Sequence, residues 1–162
     1  MKDILEPIFI ELLEKISWKD GDLFDIVVSE HTDKEDTILG KSDEIQSAGV
    51  VGVKDNTNFK YTPRRNTPTE FITKVEITLG FMGNIIDIKE KHDLAPRLVV
   101  HEIFKDRTLD YQVIDCRVDD IKSSEFQETI DLYLYTTTIY LSVKCHWVAP
   151  VLDVPMDPEP EP

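Results

Sequence analysis

Cysteine is scarce in this chain: two residues in 162, Cys116 and Cys145, are too few for a disulfide scaffold, and a core of this size needs none. Reduced, buried thiols are expected. Glycine is scarce too, with six residues, and none is spaced as a phosphate-cradling loop or a nucleophile elbow. No apolar run is long enough to cross a bilayer, and the opening MKDILEPIFIELLEK interrupts its apolar stretch with acids, unlike a signal peptide or anchor. A protein made and used inside a cell is the expectation. Positive charge is the last shortage, since 18 Lys and Arg face 32 Asp and Glu for a net charge of −14. Such a surface repels a phosphate backbone, so direct nucleic-acid binding is not expected.

What is present fits one globular domain. Hydrophobic residues make up 41% and charged residues 31% of the chain, a balance that rules against disordered and fibrous classes. Leu5, Ile8, Phe9, Leu12, Leu13 and Ile16 recur at helical spacing, predicting an amphipathic helix that begins near Glu6 because Pro7 suits a first turn. A short strand is expected over 24–29, an exposed connection over 30–46, a strand over 48–53 and a second long connection over 55–70. Strict alternation over 71–81 predicts the clearest strand. Residues 85–93 are ambiguous. Asp93 can cap a helix over 94–105, with Pro96 in its first turn and Val99, Val100, Ile103 and Phe104 facing inward.

A strand over 111–118 and a polar turn region over 119–128 are expected next. The final apolar run, 130–148, changes its apolar parity near 135–138, which predicts a bulge or two joined elements. The segment 150–162, rich in Pro and Glu, reads as a disordered acidic tail. The element order predicts a single α+β domain over 1–149. Its sheet should be mainly antiparallel, with four to five strands and two helices packed on one face.

Three patterns could carry chemistry. Cys145 and His146 resemble a nucleophile with its base, but on a strand they point to opposite faces, leaving Cys145 inside with Trp147. His31, His92 and His101 show no metal-ligand spacing and read as solvated loop or helix positions. The triplets Asp87-Ile88-Lys89 and Asp120-Ile121-Lys122, with Asp25 or Glu76 as a second acid, would suit a magnesium-dependent nuclease. An acidic protein that inhibits by mimicking DNA is a further alternative, although the acids are dispersed instead of forming a stripe. No catalytic residue, cofactor or metal site is assigned. Lys60, Arg64 and Arg65 form the one basic cluster in an acidic chain and are candidates for interaction with an acidic neighbour.

A helix closing on Trp18-Lys19-Asp20-Gly21, the strand FDIVVS, long polar loops, a helix LAPRLVVHEIFK and a strand TIYLSVKCHW together resemble the tail terminator, or lambda-type minor tail, proteins of long-tailed bacteriophages. The resemblance lies in element order and size across 1–149. It implies a non-enzymatic virion protein, assembled in the host cytoplasm, that caps the tail tube as a hexameric ring. Such a ring stops tube polymerisation and offers a surface for head attachment. The implied partners are further copies of the chain, the tail tube protein and a head-completion or neck protein, with no membrane involved.

Overall fold

The computed structural model describes residues 2–19, 21–30, 47–61, 68–83, 85–110, 112–127 and 133–146, with the backbone alone for 2–3, 55–61, 68–69, 85–87, 126–127 and 146. In chain order the elements are α1 (Lys2–Glu14), β1 (Ser17–Trp18), β2 (Gly21–Asp22), β3 (Ile26–Ser29), β4 (Ser47–Tyr61), β5 (Pro68–Gly83), α2 (Ile85–Lys105), β6 (Asp115–Gln127) and β7 (Tyr133–His146). β1 and β2 pair with each other, and the remaining strands form a five-stranded sheet in the order β3-β4-β5-β7-β6. Every neighbour in it is antiparallel except β3 and β4, which run parallel. Parallel neighbours cannot be joined by a tight hairpin; the connection expected over 30–46 lies, from residue 31 on, outside the described residues.

α1 packs on β3 and β4, and α2 on β5 and β7. Both helices share one core cluster with the odd-numbered residues of the sheet, including Val51, Val75, Ile77, Leu79, Phe81, Ile139, Leu141 and Val143. The fold is therefore α+β, a mainly antiparallel sheet with two helices on one face. No helix among the described residues is long and apolar enough to cross a membrane.

Both helices run further than their prolines suggest. α1 starts at Lys2 with Pro7 inside it. The proline removes one amide near the N-terminus, while wholly buried Leu5 and Phe9 hold the turns on either side. α2 starts at Ile85, so Asp93 is not its cap and Pro96 lies in its interior. Continuity comes from an inward stripe of Ile88, His92, Ala95, Val99 and Ile103, all buried and spaced by three or four residues. Phe104, expected inside, is 49% exposed, with the Arg107 guanidinium 5.7 Å from its ring centre.

The strands also outrun their sequence signals. β4 and β5 extend through 55–61 and 68–70 of the stretch expected as a connection; 62–67 lies outside the described residues. β6 begins at Asp115 instead of residue 111 and continues to Gln127 through the stretch expected as a polar turn. As an edge strand it needs little apolar cover, because β7 supplies its backbone partners on one side. The expected break in the last strand is absent: β7 pairs with β5 in unbroken register from Glu70 opposite His146 to Gly83 opposite Tyr133. Its inward set is Tyr135, Thr137, Ile139, Leu141, Val143 and Cys145, and buried Thr137 disguised the alternation. The bulge lies in β6, where the register shift between Val118 and Asp120 leaves Asp119 as the extra residue.

Candidate functional site

Cys145 sits on the inner face of β7 at 1% exposure, and Cys116 is fully buried on β6. Burial pushes the Cys116 thiol up to about 12 and the Cys145 thiol up to about 11, so both remain protonated near neutrality and are poor nucleophiles. The His146 side chain and Trp147 lie outside the described residues. Pairing of Phe71 with Cys145 and Glu70 with His146 places Cys145 and His146 at consecutive strand positions, which face opposite ways.

The nuclease constellation is not brought together. Asp87-Ile88-Lys89 lies within α2, not on a strand. Asp120 and Lys122 do lie on β6, but the route from Asp120 to Glu76 crosses Tyr140, which pairs with both. Two strand spacings put those acids about 10 Å apart at the backbone, and the Lys122 ammonium rests 5.4 Å from the Tyr140 ring centre. Asp25 is engaged at the other side of the sheet, where its carboxylate accepts from the Ser47 amide at 3.1 Å. No group of three or more His, Cys, Asp and Glu placed to hold a metal ion occurs among the described residues.

His92 is the buried histidine that sequence reasoning placed in solvent. Because α2 starts at Ile85, His92 falls on the inward stripe at 8% exposure. Its Nε2 shares a 2.8 Å hydrogen bond with Thr137 Oγ1, which in turn lies 2.9 Å from Ser123 Oγ. Its Nδ1 has no hydrogen-bond partner, and Asp93 Oδ1 is 3.6 Å away. The ring stands 4.9 Å from that of Tyr135 and 6.1 Å from that of Phe81. This cluster ties α2 to β5, β7 and β6. The spacing 88, 92, 95, 99, 103 was the available signal, hidden by reading Asp93 as a cap.

The opposite face of the sheet carries a polar network that the sequence did not reveal. Lys74 Nζ donates to Ser142 Oγ at 2.5 Å and to Asp119 Oδ2 at 3.1 Å. Ser142 donates to the same carboxylate, and Arg117 Nε donates to Asp119 Oδ1 at 3.0 Å. Burial acts to raise the Asp119 carboxyl, but hydrogen bonds from Ser142, Lys74 and Arg117 outweigh it, and the net shift is below the ordinary value. A serine beside a lysine suggests a nucleophile and base. Here Lys74 points its donors at a carboxylate and Ser142 gives its proton to the same group, so the trio fastens the β6 bulge to β7 and β5. Further along, Lys54 Nζ donates to both Glu30 carboxylate oxygens at 2.9 and 2.8 Å and lies 3.5 Å from Glu76. Gly52 makes this possible, since a Cβ there would overlap the Glu30 carboxylate.

Of the basic cluster, Lys60 lies on β4 with its side chain outside the described residues, as are Arg64 and Arg65. The backbone of Lys60 pairs with that of Glu70 across β4 and β5. No protein-family model and no curated protein matches this chain.

Proposed function

We propose that the protein is a non-enzymatic assembly protein of a phage-type tail, which caps the tail tube as a hexameric ring, stops its polymerisation and offers a surface for head attachment. A ring of identical subunits joins two unlike surfaces on each copy. The observation that carries the reading is the pair of unlike edges on one sheet: a four-residue β3 at one side and a thirteen-residue β6 at the other. β6 is exposed throughout 119–125. Such an edge carries unpaired backbone groups that invite a partner, while its charges and bulge prevent indiscriminate pairing. Two helices packed on a five-stranded sheet are compatible with the element order on which the resemblance rests.

Adding the purified protein to polymerising tail tubes and measuring tube lengths by electron microscopy tests the role. The expected result is arrest, with added density at one tube end. Tubes that grow equally long with and without the protein contradict it.

A further inference from the structure

Between α1 and the end of α2 lies a cleft of about 440 Å³ lined by Ile8, Leu12 and Leu109 beneath charged side chains. This volume is in the range of cavities that hold a ligand or an inserted group of side chains. Its charged wall holds four carboxylates, Glu11, Glu102, Asp106 and Asp110, against two ammonium groups, Lys15 and Lys105. Each lysine is held by an acid of its own helix, Lys15 by Glu11 at 2.9 Å and Lys105 by Glu102 at 2.7 Å. The excess is negative.

The third wall is a turn built against backbone preference. Leu109 and Asp110 both have positive φ, 49° and 59°, a region that residues with side chains seldom enter. Asp106 holds the turn, its carboxylate accepting from the Thr108 amide at 3.0 Å, the Thr108 hydroxyl at 2.6 Å and the Asp110 amide at 2.7 Å. The result buries Leu109 to 7% exposure in the floor and leaves Asp110 exposed at the rim. The field of Asp110 reaches across the cleft: after Glu11, it contributes to holding the Lys15 ammonium above its ordinary range.

An apolar floor under an acidic rim matches side chains with an apolar stem and a cationic head, arginine above all. This acidic chain carries one such cluster, Lys60, Arg64 and Arg65. We infer that the cleft receives this basic segment from a second copy of the chain, with arginine stems on Ile8, Leu12 and Leu109 and guanidinium groups on the carboxylates. The lysine pairs at the rim are largely exposed and weak, so an incoming guanidinium displaces a lysine at little cost. The inference rests on the ring reading and adds a side-chain contact, basic segment into cleft, to the sheet edges on which that reading stands.

The test titrates the dilute full-length protein with a fluorescent peptide of residues 58–67, NFKYTPRRNT, at low salt. Saturable binding is expected, weakened at least tenfold by Glu102→Lys combined with Asp110→Asn; the asparagine tolerates the positive φ of this turn. A peptide with Lys60→Glu, Arg64→Glu and Arg65→Glu should lose binding to the natural protein and regain it on a Glu11→Lys/Glu102→Lys variant, whose changes lie on helical positions of the cleft wall. Circular dichroism confirms that each variant is folded. Absence of binding, or equal binding to the cleft variants, overturns the cleft assignment. Whether the unaltered protein forms rings is read separately, so rings with no peptide binding leave the ring reading intact and remove the cleft.

Discussion

The two faces of β5 and β7 are made by alternate residues of the same strands, yet they are built for different ends. The inner face buries Phe71, Val75, Ile77, Leu79, Phe81, Ile139, Leu141 and Val143 to 4% exposure or less. The outer face sets Lys74, Glu76, Thr78, Thr138, Tyr140 and Lys144 at intermediate or full exposure, and several pair across strands, as Lys144 does with Glu70 at 3.1 Å. Apolar burial supplies the stability of the first. The ion pairs of the second are part-exposed, Lys144 to 34% and Glu70 to 28%, and contribute less to folding than that burial.

That contrast can be broken most severely from the inside. Ile77→Ala removes a wholly buried side chain and should cost about 2–5 kcal/mol in chemical denaturation. Its outward neighbour Thr78→Ala, which loses a 3.3 Å contact with Thr138, should cost about 1 kcal/mol or less. Equal losses at the two positions would remove the distinction between the faces. His92→Ala is expected next, at about 2–4 kcal/mol, because it empties ring contacts with Tyr135 and Phe81 and strips Thr137 of a partner.

Smaller changes sharpen the account of the outer face. Gly52→Ala forces Glu30 off the strand and off Lys54, at about 1 kcal/mol. If that ion pair is the whole cost, Glu30→Ala and Gly52→Ala combined should destabilise no more than the larger single change, a non-additivity measured by a double-mutant cycle. The mildest test is acid titration. The Asp119 pKa is lower folded than the ordinary carboxylate value of about 3.9. Its contribution is thus fully present above that value and lost as pH falls through the lower, folded pKa. Asp119→Asn should flatten the acid limb of stability against pH and leave the neutral region parallel to the unaltered protein.

The inner face was largely legible in the sequence. The alternation over 71–81 and the stripe Leu5, Ile8, Phe9, Leu12, Leu13 and Ile16 report burial directly: Leu5, Phe9, Leu13 and Ile16 are buried, and Ile8 and Leu12 are half-buried against the same core. What misled were local signals overruled by packing: Pro7 and Pro96 lie inside helices, and Thr137, a polar residue in an apolar stripe, imitated a change of parity. The outer face was nearly illegible. Ser142, Asp119 and Lys74 come from three strands, and their meeting depends on a one-residue bulge in β6 that no alternation announces. His92 was hidden for the same reason as Pro96: the apparent cap at Asp93 suggested a boundary where the helix runs on.

The proposed assembly into a ring is most directly tested by light scattering over a range of concentration and salt, with negative-stain microscopy of the same samples. A concentration-dependent hexamer is expected, seen as closed six-fold rings, that loosens as salt screens its charged contacts. A protein that remains monomeric at the highest concentration, alone and with tail tubes, would contradict it.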